Sequence, residues 1–337
     1  AALAEPHGFS IDRWRAFADM GWLALGLPED CGGLGDASDA AIVADALGRA
    51  NALEPWLANV GLAAPLLAAL RGTPASADDR CGALRVALAA WEPQGRHDAF
   101  DVATRATATP DGWRLDGVKT LVLGGGSADV LLVVAREHGA PRDPEGLSVF
   151  ELAPDAPGLT RRALPTYDGR QTADLRLDGV AVSAAARFGG AVGPALEAAI
   201  DHATALACVE AVGTMQVVLD TTRAYLQQRR QFGRPLAANQ VLRHRLVDLR
   251  VAIEQGQAIS LAAIERLGDT PAARRRAVSL AKAFVSPAAR RCGEEGIQLH
   301  GAIGMTEETA IGHMATRLVG FANLLGDEAW HLERVLG

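Results

Sequence analysis

Tyr225-Leu226-Gln227-Gln228-Arg229-Arg230-Gln231-Phe232-Gly233-Arg234-Pro235-Leu236, followed by Gln240, is the most specific pattern in the chain. Tyr225 and Arg229 stand four residues apart and share one helix face. Gly233 and Pro235 then stop the helix and leave Phe232 on the turn, directed outward. A guanidinium beside an exposed aromatic suits a nucleotide diphosphate and its adenine. A plain capped helix would read the same way if the segment stood alone. Downstream, Gln298-Leu299-His300-Gly301-Ala302-Ile303-Gly304-Met305-Thr306-Glu307-Glu308 is punctuated by glycine. It reads as a loop whose backbone can approach a ligand, entering the last helix through a capping box at Thr306 with its nearby acids.

Both segments lie in a helical block, residues 188–337. Stretches 194–230, 237–267, 271–292 and 307–335 are long enough for a four-helix bundle, with breaks expected at Gly233–Pro235, Gly268–Pro271 and Gly293–Gly304. Residues 1–85 are also helical in pattern. Ile11, Trp14, Phe17 and Ala18 mark one face, Ile42, Val43, Ala46 and Leu47 another, and Gly26–Gly35 forms the loop between them. From 86 to 187 the period becomes two: Trp113, Leu115 and Gly117 alternate with polar neighbours, as do Leu175, Leu177 and Val180–Val182. Turn signals at Pro110-Asp-Gly, Leu115-Asp-Gly, Pro144-Glu-Gly and Leu177-Asp-Gly predict a β domain of short strands, a barrel or sandwich. Gly124–Gly126 lacks the spacing of a dinucleotide fingerprint and reads as a turn. The fold class is therefore α+β, multidomain.

Composition bounds the function. The chain has 337 residues, 49% hydrophobic, 22% charged and 5% aromatic, a globular balance that excludes a mostly disordered chain. A net charge of −7 disfavours a nucleic-acid or anionic-membrane partner. Arg274–Arg276 and Arg290–Arg291 read as solvated helix faces. Cys31, Cys81, Cys208 and Cys292 form no metal or redox spacing and suit a reducing compartment. The longest apolar run, Val60–Leu70, contains Pro65 and falls short of a membrane span. A cytoplasmic location is expected, and the missing methionine suggests that the true start lies upstream.

Together the two glycine-punctuated segments identify a resemblance to the acyl-CoA dehydrogenase family along nearly the whole chain. The family's arginine–x–glutamine–phenylalanine–glycine–x–proline segment and its glutamine–x–x–glycine–x–x–glycine loop both match in place. Glu92-Pro93 and Gly117-x-Lys119 match weaker landmarks, and the three-block order fits. The resemblance implies FAD as cofactor, held by Arg229, Gln231, Phe232, Gln240, Gln298, Gly301, Gly326 and Asp327, with the Arg229–Phe232 segment reaching the ADP part of a neighbouring subunit's flavin. It implies α,β-desaturation of an acyl-CoA: a carboxylate takes the α-proton, FAD takes the β-hydride, and electron-transfer flavoprotein reoxidises it.

The catalytic glutamate does not carry over. Read without gaps from Glu308, one family position is Leu325, before Gly326. Read from Met215–Gln216 and Arg229, the other is Ala203, with Thr204 where an arginine is usual. Losing a general base typically costs about 10²–10⁴-fold in rate. The flavin-ring segment departs as well. Lys119-Thr-Leu121-Val-Leu123 lacks the family's tryptophan and threonine, and Gln94-Gly-Arg-His-Asp98 replaces glycine–serine–aspartate. The ADP-side motif is intact. That asymmetry, and Leu325-Gly-Asp327-Glu-Ala-Trp330-His331-Leu-Glu-Arg334, resemble the small, base-less subunits of heteromeric enzymes such as pimeloyl-CoA dehydrogenase. The expected partner is a base-bearing chain, in the degradation of fatty acids or steroids. Alternatives are a self-sufficient homomer and an assembly module without activity.

Glu210 is the candidate substitute base. It lies seven residues beyond Ala203, about 10 Å along the helix. Asp201 falls where a substrate-contacting aspartate often stands. Asp327 and Glu328 suit the flavin's phosphate end or a solvated helix start. His202 and His300 read as structural hydrogen-bonders, and Trp91, Trp113 and Trp330 as core or interface residues.

Overall fold

The computed structural model describes residues 5, 7–29, 32–71, 84–143 and 145–336. Cys31, Cys81 and Pro144 lie outside the described residues. Packing divides the chain into two compact units: Ala1–Asp36 with Leu53–Ala203, and Ala37–Ala52 with Thr204–Gly337.

The first unit opens with α1 (Ile11–Asp19), capped by the Ser10 hydroxyl on the Arg13 amide and buried through Trp14 and Phe17. A π-helix, Leu57–Ala63, runs directly into α3 (Ala64–Arg71) and is buried throughout. The strands are β1 (Val86–Ala89), β2 (Arg105–Thr109), β3 (Gly112–Leu123), β4 (Val130–Arg136), β5 (Leu147–Leu152), β6 (Leu159–Pro165), β7 (Gln171–Ser183) and β8 (Arg187–Phe188). They form one eight-stranded sheet in the order β6-β7-β3-β2-β4-β5-β8, with β1 parallel to β4. Leu115, Leu131, Val133, Phe150, Leu175 and Val180 fill its core, and the Trp113 ring packs 5.7 Å from Phe150.

Two of the expected turns lie inside strands. Leu115-Asp-Gly and Leu177-Asp-Gly face each other across β3 and β7, where Leu115 pairs with Val180 but Gly117 with Leu177. One residue opposes two, so the signals mark a β-bulge. The Asp116 carboxylate accepts the Gly179 amide across it, at 2.9 Å.

In the second unit, α2 (Ala37–Arg49) lies against the continuation of α4 (Val192–Gln228). A Cβ on Gly48 would stand 2.0 Å from the Glu210 carbonyl oxygen, and one on Gly213 2.5 Å from that of Asp45. The expected α2 face is corrected: Val43 and Leu47 are buried, but Ile42 and Ala46 face outward and Ala40, Ala41 and Ala44 turn in. Small alanines pack at a contact this close, where Ile42 would not fit. The remaining elements are the short hairpin β9 (Arg230–Gln231) and β10 (Arg234–Pro235), then α5 (Gln240–Glu265), α6 (Pro271–His300), α7 (Ile311–Phe321) and α8 (Glu328–Leu336).

Three sequence expectations change here. The third helix continues to His300 because Gly293 and Gly296 are contact points, not breaks. Their faces meet Ala315 and Val218 so closely that a Cβ would stand 3.0 and 2.7 Å away. The last stretch splits into α7 and α8 at Leu325 (φ +57°) and Gly326 (φ +110°), so five α-helices follow residue 188 among the described residues. Thr306 does not open α7: it closes the 3₁₀ turn Gly301–Met305, its hydroxyl and amide donating to the Ile303 carbonyl, and Ala310 precedes α7. In addition, Arg274 is buried, not solvated. The helix Val192–Gln228 is long and apolar enough to cross a membrane, but 83% of its most apolar window is buried inside the protein, as in a core helix.

Candidate functional site

Two sequence landmarks of the first unit meet as one structure. Lys119 is fully buried and its ammonium donates to Glu92 at 2.6 Å and to the Ala90 carbonyl at 3.2 Å. The same carboxylate accepts the amides of Ala103 and Thr104 and the Gln94 side chain, so its oxygens are fully committed. Burial would raise the Glu92 carboxyl, but Lys119 and these donors outweigh it and the net shift is downward. Burial pulls Lys119 down to about 8 against the opposing pull of Glu92. The pair shapes the start of the Lys119–Leu123 segment. There Thr120 donates to Asp174, and Leu121 sits at φ +50° with its side chain exposed. The segment presents the apolar side chain of Leu121, buries Leu123 and has its threonine hydroxyl engaged by Asp174.

Ala203 is fully buried, and the π-helix backbone approaches it: a Cβ on Gly61 would lie 3.5 Å from the Ala203 Cα. The neighbouring His202 donates from Nδ1 to the Gly61 carbonyl at 2.8 Å, because a carbonyl only accepts. Burial holds that imidazole below its ordinary pKa despite this bond. Asp201 is fully buried. A pocket of about 380 Å³ in this unit, lined by Glu151, Asp155, Ala181 and Ser183 among others, contains none of the residues singled out above.

The Arg229 segment of the second unit is an exposed arm. Helix α4 ends at Gln228, and β9 pairs with β10 across the two-residue turn Phe232-Gly233. Both turn residues have positive φ, +53° and +78°, as a type I′ hairpin requires. Phe232 is 94% exposed. Arg229 and Gln231 are exposed too, and Gln240 opens α5 at the surface. Residues 221–247 carry six arginines and no acid, in a chain whose net charge is −7. Arg223 pairs with Asp220 and Arg245 with Glu295; Arg229, Arg230, Arg234 and Arg243 have no carboxylate among the described residues.

The second motif joins the arm at its base. Tyr225 stacks on His300, ring centroids 4.4 Å apart, and His300 Nδ1 donates to the Gly296 carbonyl. Gly301 ends α6 at φ +69° with nothing within 4 Å of where a Cβ would stand, and Gln298 is exposed beside it. An exposed guanidinium, a displayed aromatic ring and an open glycine surface are the kinds of group that suit a diphosphate and its adenine, with Arg229 as the donor.

Leu325, Gly326 and Asp327 form a closed turn. Lys282 donates to the carbonyls of Gly326 (2.8 Å), Phe321 (3.0 Å) and Ala322 (3.3 Å) and to the Ser286 hydroxyl (2.9 Å), with the Phe321 ring 4.4 Å away. His331 Nε2 donates to the Leu325 carbonyl at 3.0 Å, and the Asp327 carboxylate caps α8 by accepting the Trp330 amide at 2.8 Å. Glu210, on α4, accepts from Arg317 of α7 at 2.8 Å, and the same guanidinium donates to the Ala52 carbonyl. The sequence offered one signal for Lys282 and Arg317, which were missed: each is a lone cation in an apolar helical run.

Comparison with known proteins agrees with this architecture. The sequence matches the acyl-CoA dehydrogenase N-terminal domain over residues 1–76, the middle domain over 87–180 and the C-terminal domain over 193–336. It is 28% identical to acyl-CoA dehydrogenase IpdE2 of Mycolicibacterium smegmatis, over 99% of this chain and 90% of that protein. Among solved structures it is similar to the ChsE4-ChsE5 complex of Mycobacterium tuberculosis, with 27% identity, a TM-score of 0.85, and 97% of this chain and 87% of that one covered. It is also similar to the Tcur3481-Tcur3483 steroid acyl-CoA dehydrogenase, a G363A variant, with 26% identity, a TM-score of 0.84, and 99% and 90% covered. With N-terminal helices, a middle β domain and C-terminal helices all matched in order, the chain belongs to the acyl-CoA dehydrogenase family.

Proposed function

We propose that this chain is the base-less subunit of a heteromeric, FAD-dependent acyl-CoA dehydrogenase, completing the flavin site of a base-bearing partner. One asymmetry carries the reading. The arm around Arg229 and Phe232 is complete and faces outward, while Leu325 and Ala203 stand where a carboxylate would be needed. Glu210 lies beyond Ala203 on the same helix, but its carboxylate is spent on Arg317 in packing α7 to α4. Two relatives solved as two-chain assemblies, ChsE4-ChsE5 and Tcur3481-Tcur3483, support the same reading.

In this role Arg229 neutralises diphosphate charge, Phe232 stacks on adenine, and the Gln298–Gly301 backbone admits the nucleotide closely. Gln231, Gln240, Gly326 and Asp327 are further contacts. Bound FAD supplies the acceptor for the substrate's β-hydride. The α-proton goes to a carboxylate of the partner, because this chain offers none at either position. Electron-transfer flavoprotein is the reoxidant, and the steroid relative favours an acyl-CoA with a ring-bearing acyl group.

The test is an anaerobic titration of the purified chain with a panel of acyl-CoA thioesters, followed by flavin absorbance. The expected result is weak FAD binding and no bleaching. Stoichiometric FAD that bleaches in the chain alone would overturn the proposal and return the search to Glu210.

A further inference from the structure

We propose that the exposed face of α5 is a docking surface for a second copy of this chain, whose own α5 lies against it antiparallel. Val247, Val251, Glu254, Ala258, Leu261 and Glu265 are all exposed, and they recur at alternating steps of four and three residues. That spacing sets them in one seam along the helix, the spacing by which two helices interlock. Val247, Val251 and Leu261 are 59%, 51% and 43% exposed. A helix face meant for water carries polar residues at such positions. The other side of α5 already has its packing: Leu249, Ile253, Gly256, Ser260 and Ala263 are buried within the same unit.

Charge selects the occupant. The first half of the exposed face carries Arg243 and Arg250, and the second half carries Glu254 and Glu265. Asp248 breaks this polarity only off the seam, where it faces Arg291 of α6 at 3.7 Å. Arg243 and Glu265 have no ion pair among the described residues. Arg250 and Glu254 pair with each other one turn apart, both half exposed, and Arg250 also donates to Gln216. A helix basic at one end and acidic at the other complements its own copy when the two run in opposite directions, and sets like against like when they run parallel.

A twofold axis beside residues 252 and 253 satisfies the apolar and the charged positions together. Val247 of one copy then meets Ala258 of the other, Val251 packs beside the stem of Glu254, and Arg250 comes opposite the Glu254 carboxylate. Arg243 comes within reach of Glu265. Each contact occurs twice, as a self-complementary interface requires. The seam is separate from the arm and does not rest on the function proposed above. If both hold, the assembly contains this chain twice.

The test is sedimentation equilibrium of the purified chain between about 1 and 100 μM, the range in which a contact of one helix face associates. Circular dichroism checks the fold of each variant. The wild type is expected to pass from monomer to dimer across this range. Val251→Glu, at an exposed site, places a carboxylate against Glu254 of the second copy and should weaken association at least about 100-fold. Arg243→Glu and Glu265→Arg should each weaken it about tenfold, and the double variant, in which the two charges are exchanged, should recover most of that loss. A wild type that stays monomeric overturns the proposal, and loss of a partner chain from the heteromer in Val251→Glu would then assign the seam to that chain. A dimer that Val251→Glu leaves intact, or a double variant no better than the single ones, overturns it as well.

Discussion

The arm at Arg229–Gln240 and the turn at Leu325–Asp327 are opposites in the same helical unit. In the arm, Arg229, Arg230 and Arg234 lack a carboxylate among the described residues, an aromatic ring is almost fully exposed, and the tip holds a bulky residue at positive φ. In the turn, each of three residues is bound to a neighbouring helix, through buried Lys282 and His331 or through an α8 amide. On the function proposed above, the exposed and uncompensated groups face something outside the chain. Groups compensated from within keep their own shape. Under the function proposed above, the arm is the part of the site open to a partner's flavin, and the turn is the part whose shape this chain fixes itself.

The largest expected effect tests whether Glu210 belongs with the architecture. Glu210→Ala takes the carboxylate from the buried Arg317 guanidinium, which keeps the Ala52 carbonyl, and should cost about 3–5 kcal/mol in urea unfolding. Glu210→Gln keeps an acceptor and should cost less. If Glu210→Gln had unchanged stability but abolished bleaching by acyl-CoA, the carboxylate would be chemical, and the contrast between the two regions would fail.

The arm should respond in the opposite way. Arg229→Ala is expected to change unfolding free energy by less than about 0.5 kcal/mol, as at other exposed sites. If the chain completes a partner's flavin site as proposed, it should weaken FAD in that heteromer roughly 10–100-fold, the value of one or two charge-assisted hydrogen bonds. Equilibrium dialysis of wild-type and variant heteromers decides this. A large loss of stability with unchanged FAD would place Arg229 in the fold.

How much of this was legible follows the same division. The arm could be read from the sequence because its signals are local: i, i+4 spacing, a glycine, a proline and a displayed aromatic. The meeting of Tyr225 with His300, and of Lys119 with Glu92, could not be read, because residues 75 and 27 apart are joined only by packing. Gly293 and Gly296 misled for a related reason. A glycine that ends a helix and one that admits a neighbouring helix look alike until the neighbour is in place. Lys282 and Arg317 were overlooked because a cation in an apolar helix reads as surface until its carbonyl or carboxylate partners are known.

The alkaline limb of stability should report the buried cations. Lys119 and Lys282, lowered to about 8 from 10.5, both favour the fold as pH rises between those values. Cys208 and Cys292, raised by burial to about 12 from 9.0, act against it above pH 9, because there the folded chain binds more protons. Unfolding free energy should therefore climb between pH 8 and 9 and flatten beyond, with each lysine contributing at most about 1.4 kcal/mol per pH unit. Lys282→Met should halve the slope. A flat profile from pH 8 to 9 would mean that burial does not lower the two lysines and that they stay protonated in the fold.

The smallest expected effect bears most directly on why the arm is built as it is. Phe232 and Gly233 occupy a turn for which Asn-Gly is the preferred sequence, and a phenylalanine at φ +53° is disfavoured there. Phe232→Asn should thus raise stability by up to about 1 kcal/mol, since the ring, 94% exposed, gives up almost no burial. The same substitution should weaken FAD binding in the heteromer. A gain in stability joined to a loss of binding means that the strained backbone is kept in order to present the ring. A loss of stability would mean that Phe232 is held by its own chain, and the arm would then resemble the turn it has been set against.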